Sequence, residues 1–526
     1  MKGKYFSNIV FSISAIFILI CVILGIVAPE AFSNVATYLF GLTTDYFGWF
    51  YLLSVFIIIV FLLVLAISKY GKIRLGGKDA RPEFKFHTWI ALLFAAGLGI
   101  GLVFWGVAEP MSHFFNTPFN NVEAQTTEAA RLAMGYAFFH WGISQWSVFA
   151  VIGLVMAYMQ YNKKKNLLIS TALEPVTGTN RGIKNTIDIL AVIATVMGVA
   201  TSIGLGVLQT NGGLNAVFNV PISIWVQVAI IIVVFVGYMA SSLTGLQKGI
   251  RILSNLNMYL AFILLLFVFV TGPTVFILES FVLAISDYIT NFVQYSLRLQ
   301  PYAGGTWVKD WTIFYWAWAI AWSPFVGSFV ARVSKGRTIR ELIVGVLIIP
   351  PLISCLWIAV FGGSALYFDL NKGTTIAEAV DTDLTVALFM MLDQLPLTTI
   401  ASILGIALIF IFLITSSDTA TFIMASMTSN GTMDPSNRLK VIWGVLIAAI
   451  AGVLLFSGGL EALQTASLIS ALPFTVVMLL LIVSFIKMIR HEVPPVTKRD
   501  ARRYKRIMEQ IEEFDEKDSK KINDKK

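Results

Sequence analysis

Residues 311–325 read W-T-I-F-Y-W-A-W-A-I-A-W-S-P-F, an uncharged stretch holding Trp311, Trp316, Trp318 and Trp322. On a helix, Trp318 and Trp322 lie four apart and share a face, with Phe314 one turn before them. Ser323-Pro324 is expected to interrupt that helix, because proline offers no backbone N–H. An aromatic face beside a helix break suits a cation that has no hydrogen to donate. The negative faces of indole rings attract such a quaternary ammonium. Tryptophans also form belts at membrane interfaces, but belt residues sit at helix ends, and these run on for three turns.

The segments on either side place this stretch in a membrane. The chain has 526 residues, of which 57% are hydrophobic and 13% charged, the composition of a polytopic membrane protein. About twelve apolar spans are expected, near 6–28, 48–69, 88–116, 128–160, 186–213, 221–242, 252–274, 308–333, 339–364, 397–428, 438–457 and 462–489. The net charge of +8 does not point to nucleic acid, since the basic residues fall in loops between the spans. Cys21 and Cys355 both lie in apolar spans, which argues against a disulfide framework. The first apolar run is longer than the core of a secretory signal and has no small-x-small cleavage site after it, so it reads as a span.

Loop charge gives the orientation. Lys69, Lys72, Arg74, Lys78 and Arg81 follow the second span, and Lys163, Lys164 and Lys165 follow the fourth. Arg332, Lys335, Arg337 and Arg340 follow the eighth. The alternate loops carry Glu30, Asp45, Glu123, Asp369, Glu378, Asp381 and Asp383. By the positive-inside rule both termini are expected in the cytoplasm. Residues 275–299 mix Phe, Leu, Ile and Tyr with Glu279, Asp287 and Arg298 and read as an amphipathic helix on the outer surface. Residues 374–394 leave room for a shorter one. The tail, 491–526, interleaves acids and bases and reads as a fraying helix.

In the third span, Gly97, Gly99 and Gly101 stand in the middle of an apolar run. Alternate glycines weaken a helix and let backbone approach a ligand. Glycines spaced by four would instead hold one packing face. A weakened third span and a proline-broken eighth are five spans apart, the separation expected of an inverted five-helix repeat with its site at the midplane.

These residues resemble the betaine/carnitine/choline transporter (BCCT) family over about residues 6–490. The motifs that carry the resemblance are G-L-G-I-G-L-V-F-W-G-V-A-E-P (97–110), H-W-G (140–142), W-T-I-F-Y-W-A-W (311–318), W-S-P-F-V-G (322–327), S-K-G-R-T-I-R-E (334–341) and I-T-S-S-D (414–418). The resemblance implies an all-α membrane protein of the LeuT type, a 5+5 inverted repeat preceded by two extra helices. It divides the chain into two helices and a cytoplasmic loop (1–87), a first repeat (88–274), a surface helix (275–307), a second repeat (308–490) and a cytoplasmic tail (491–526). It also implies sodium-coupled import of a compatible solute such as glycine betaine, choline or carnitine by alternating access. The setting would be the plasma membrane of a bacterium, and the assembly a homotrimer.

Site residues follow by position. The aromatic cage maps to Trp141, Trp146 and Phe149, then Phe314, Trp318, Ala319 and Trp322, beside Gly97, Gly99 and Gly101. Phe149 stands where the family usually has tyrosine, and Ala319 where it has the last tryptophan of its signature. Losing one cation–π partner costs on the order of 0.5–2 kcal/mol for a quaternary ammonium. Ser144 and Gln145 add polar groups. The substrate is therefore expected to be larger or more polar than glycine betaine, with taurine, ectoine or an amino acid as alternatives. The better-defined sodium site maps to the carbonyls of Ala95, Leu98 and Phe412 and the hydroxyls of Thr415 and Ser416. The second maps to Thr195 and Phe325, but Val199 replaces a threonine there, so one sodium per cycle is expected.

Other residues carry weaker signals. Asp418 is an acid within a span, suited either to orienting sodium ligands or to holding a hydrogen-bond network. His140 reads as a packed, hydrogen-bonded histidine, and Glu109 as a partly solvated carboxylate near the outer end of its span. The four histidines look scattered, and no metal cluster, nucleophile triad or phosphate loop is evident. The chain therefore reads as a transporter rather than an enzyme or a pump. An ion-independent exchanger is the alternative that the Thr415–Ser416 pair disfavours.

Overall fold

A computed structural model describes residues 8–97, 99–119, 122–244, 247–302, 304–432, 434–492 and 506–513. In order they form α1 (Ile9–Val27), α2 (Pro29–Ile67), α3 (Phe86–Gly97), α4 (Ile100–Phe115), α5 (Thr127–Trp141), α6 (Ile143–Tyr161), α7 (Ile169–Thr177), α8 (Arg181–Phe218) and α9 (Ile224–Thr244). After these come α10 (Gln247–Thr271), α11 (Thr274–Leu297), α12 (Phe314–Val333), α13 (Ile339–Lys372), α14 (Ile376–Thr382), α15 (Ala387–Leu392), α16 (Thr398–Met427) and α17 (Asn437–Ile489). The described residues contain no β-strand, only an isolated bridge between Arg74 and Thr338. The protein is an all-α membrane protein.

Among the described residues, eleven helices or consecutive helix pairs are long and apolar enough to cross a membrane. They include α11, and they count α17 once although it bends at Gly458–Gly459, where Gly459 has φ 57°. The third span is not among them, because its break leaves two helices of 12 and 16 residues. With α3 and α4 as one crossing and α17 as two, the described residues hold thirteen such segments, and the twelve expected leave out α11 as a surface helix.

Three expectations are corrected. Residues 29–47 form no loop. Pro29 opens α2 at its first position, where the missing N–H costs nothing, and the helix runs 39 residues. The eighth span is not interrupted at Ser323-Pro324. Its helix continues to Val333, because the Ser323 hydroxyl donates to the Ile320 carbonyl at 2.7 Å, the acceptor that Pro324 leaves free. The irregular turn of this span is a π-helical turn at Lys309–Ile313 instead. The breaks therefore fall at different places in the third and eighth spans, and they do not by themselves mark a repeat.

The centre of the bundle is α8, α12 and α17, with α6 and α16 against them. Helix α1 exposes Ile13, Ile16, Leu19, Ile20, Ile23 and Leu24, as expected of a helix facing hydrocarbon, where every backbone group is already paired. The basic loop before α13 fastens the helix ends. Thr338 and Glu341 form a reciprocal capping box. Arg340 Nε donates to the Ala66 carbonyl at 2.6 Å, closing the C-terminal end of α2. Gly336 sits at φ +78° with a Cβ position only 2.1 Å from the Arg81 carbonyl oxygen, so no other residue fits there.

Candidate functional site

The broken third span creates the site. Helix α3 stops at Gly97 and α4 restarts at Ile100, with Gly99 extended at φ −154°, ψ 174°. Leu98 lies outside the described residues. Past the break, Gly101 faces the Trp318 indole so closely that a Cβ would lie 2.2 Å from its Cη2 and 3.1 Å from that of Trp141. Only glycine lets both rings close over the backbone at this point.

Helix α12 supplies a ladder of rings. Trp318 stacks on Phe314 (5.8 Å between centroids, 4° between planes) and on Trp322 (6.5 Å, 27°), and Trp322 stacks on Phe325 (5.2 Å, 20°). Trp141 meets Trp318 edge-on at 6.1 Å. From α6, Trp146 meets Phe149 edge-on at 5.3 Å, and Phe149 meets Trp322 in the same way at 6.3 Å. Edge-to-face and offset contacts of this kind are favoured by the ring quadrupoles.

The structure thus gathers Gly99, Gly101, Trp141, Trp146, Phe149, Trp318, Ala319 and Trp322 around one cavity, together with Ile100, Leu102, Gln145, Ser202 and Ser416. Phe314 stands behind Trp318, and Gly97 is at the end of α3. The cavity volume is about 30 Å³, roughly twice the space that a single water needs. A solute of ten heavy atoms enters only if the rings move apart.

Its polar groups are few. Trp318 Nε1 donates to Ser202 Oγ at 3.3 Å, and Ser202 Oγ donates to the Gly198 carbonyl at 3.1 Å. The Gln145 side-chain oxygen is buried without a hydrogen-bond partner, as is the Ser144 hydroxyl. Sequence reasoning passed over Ser202, which stands on α8, far along the chain; its one signal was a hydroxyl in an apolar span.

The sodium positions separate along α16. Ser416 lines the cavity, whereas Thr415 Oγ1 donates to the Ile411 carbonyl at 3.0 Å and accepts from Asn257 Nδ2 at 3.4 Å. The Phe412 carbonyl lies 3.3 Å from Thr415 Oγ1, so this pair supplies two adjacent oxygens. Ala95 is in the last turn of α3, and Leu98 lies outside the described residues. At the second position, Thr195 Oγ1 donates to its own helix at Ala191 O (2.7 Å), with Val199 buried one turn on. Asp418 is buried on α16 and hydrogen-bonded by Ser242 of α9.

The histidines and Glu109 need correction. Glu109 is not partly solvated: it is wholly buried. One carboxylate oxygen lies 2.6 Å from His140 Nδ1 and 3.3 Å from His113 Nε2. The other accepts from Trp141 Nε1 at 2.8 Å and from the Tyr315 hydroxyl at 2.5 Å. His140 Nε2 pairs with Thr312 Oγ1 at 2.9 Å, as expected for a packed, hydrogen-bonded histidine. His113 and His140 are therefore gathered rather than scattered, and with Glu109 they offer three ligand atoms within 4.8 Å. That spacing admits a metal, but the 2.6 Å contact is a hydrogen bond, and the carboxylate already accepts from His140, Trp141 and Tyr315. The group acts as a clamp that joins α4, α5 and α12 behind the cage.

A sequence model of the betaine/carnitine/choline family transporters matches residues 9–494. The ectoine/hydroxyectoine transporter of Virgibacillus pantothenticus is 60% identical, over 93% of this chain and 98% of that protein. The glycine betaine transporter OpuD of Bacillus subtilis is 47% identical, over 92% and 96%. A probable glycine betaine transporter of Desulfitobacterium hafniense is 44% identical, over 93% and 98%. With its apolar helices and its aromatic cavity at a helix break, the chain belongs to the betaine/carnitine/choline transporter family, and it is a multi-pass membrane transporter rather than an enzyme.

Proposed function

We propose that the protein imports a compatible solute of the ectoine class, driven by sodium. The observation that carries this is the buried, unpartnered oxygen of Gln145, a residue that lines a cavity walled by indole rings. A buried acceptor left unpaired is costly, and a substrate that donates to it recovers that cost. Trimethylammonium has no N–H to give. Ectoine is a cyclic amidine carboxylate whose flat, cationic N–C–N unit stacks on an indole face and points N–H groups into the plane. Ala319 and Phe149, smaller and less polar than the family's residues there, make room for a ring. The similarity to the Virgibacillus ectoine/hydroxyectoine transporter supports the same class.

Sodium is assigned to the oxygens of Thr415, Ser416 and Phe412 with carbonyls of Ala95 and Leu98, one ion per cycle. It would stand between the broken span and α16, so its binding favours the arrangement that closes the rings on the solute. Alternating access, a 5+5 repeat over 88–274 and 308–490, cytoplasmic termini and a homotrimer belong to the same proposal. Thermal-shift titration of the purified protein in sodium and in potassium tests it. Ectoine and hydroxyectoine should stabilise the protein in sodium more than glycine betaine, choline, carnitine or taurine do. Equal shifts in potassium would remove the coupling, and a shift with betaine alone would remove the ectoine class.

A further inference from the structure

The fourth span breaks at Gly142, between the cage residues Trp141 and Trp146. Helix α5 ends at Trp141 and α6 begins at Ile143, with Gly142 at φ −85°, ψ −149°. The first amides of a helix have no acceptor inside it, and within a membrane such a donor must be met by protein. For Ile143 the acceptor comes from a helix outside the cavity: its N–H donates to the Tyr288 hydroxyl of α11 at 2.8 Å. The same hydroxyl leaves no space at Gly142, where a Cβ would lie 2.4 Å from it. Tyr288 is 5% exposed, with its ring against Phe139 at 6.4 Å and Phe292 at 5.7 Å.

Helix α11 is itself held firmly to α5. Arg131 grips Asp287 with two hydrogen bonds of 2.7 Å, the bidentate geometry that fixes orientation as well as distance. Tyr295 stacks on Tyr136 at 4.2 Å. Asp287 and Tyr288 are adjacent, so the ion pair at the surface and the hydroxyl at the break are set by one turn of α11.

We propose that Tyr288 is a positioning residue for solute binding. Its hydroxyl holds the turn at Gly142–Ile143 and so sets how Trp141 and Trp146 face the cavity. This rests on the reading that the cavity binds the solute.

The test is Tyr288→Phe in the full-length protein in lipid, with Tyr295→Phe, which keeps the stacked ring, as the comparison. Loss of one buried hydrogen bond corresponds to about tenfold. Amide exchange over residues 142–146 should accelerate about tenfold in Tyr288→Phe, and KM for ectoine uptake should rise by a similar factor with Vmax within about twofold of wild type. Tyr295→Phe should leave both near wild type. Unchanged exchange at 142–146 overturns the inference. So does faster exchange with an unchanged KM, or an equal effect of Tyr295→Phe. If wild-type protein takes up no solute, the transport reading fails, and the exchange measurement still decides whether Tyr288 holds the break.

Discussion

Replacing Gln145 by leucine separates an amidinium substrate from a quaternary ammonium. Leucine nearly conserves the volume of the side chain and removes a buried oxygen that has no partner from a residue of the cavity wall. A hydrogen bond to a charged donor contributes about 1.5–3 kcal/mol, which at tenfold per 1.4 kcal/mol is roughly 10- to 150-fold in affinity. Ectoine should lose that factor. Glycine betaine, which donates nothing to this oxygen, should stay within about threefold of its wild-type affinity. The empty protein should gain rather than lose stability, by about 1 kcal/mol, because an unpaired buried amide oxygen has been replaced by an apolar group. Titration calorimetry in sodium measures both affinities, and thermal unfolding without solute measures the third quantity. Parallel loss of both solutes would show that leucine had only collapsed the cavity. An unchanged ectoine affinity would refute the hydrogen bond itself.

Four further outcomes are expected. Thr415→Ala with Ser416→Ala should abolish the sodium dependence of uptake, and a retained dependence would place the ion elsewhere. Glu109→Ala should destabilise the protein by several kcal/mol, because Trp141 Nε1, the Tyr315 hydroxyl and His140 Nδ1 lose their acceptor together; Glu109→Gln, which keeps one acceptor oxygen, should cost clearly less in the same unfolding assay. Gly101→Ala should insert and fold, yet weaken solute binding more than tenfold, since its Cβ would stand 2.2 Å from Trp318; wild-type affinity would contradict the placement of that ring. At the end of α17, hydrogen bonds from Lys163 and Tyr158 hold the Glu492 carboxyl below its ordinary value of 4.5. Its folded pKa is depressed, so the tether to α6 is present above that value and is lost as pH falls through the lower one; exchange near residue 492 should rise on acidification, and Glu492→Gln should remove the pH response.

Much of the fold was legible because membrane spans are written in local composition. The i, i+4 spacing of Phe314, Trp318 and Trp322 forecast a stacked face, and that face is present. Gly97, Gly99 and Gly101 forecast a break, and α3 and α4 divide there. The bend at Gly458–Gly459 falls between two separately read spans. What failed was decided by partners. Pro324 reads as a break until the Ser323 hydroxyl is seen to pair with Ile320. Glu109 reads as solvated until His140, Trp141 and Tyr315 close around it from two other helices. The break at Gly142 is equally silent in the sequence, because its missing acceptor is supplied from α11. Burial and pairing are tertiary facts, and a single span does not carry them.

The most direct measurement of the central claim is uptake of labelled ectoine into proteoliposomes holding only this protein, with an inward sodium gradient against equimolar potassium. The account predicts accumulation above the outside concentration with the sodium gradient, none without it, and competition by hydroxyectoine stronger than by glycine betaine. Equal uptake in potassium, or uptake that only exchanges for solute preloaded inside, would contradict it.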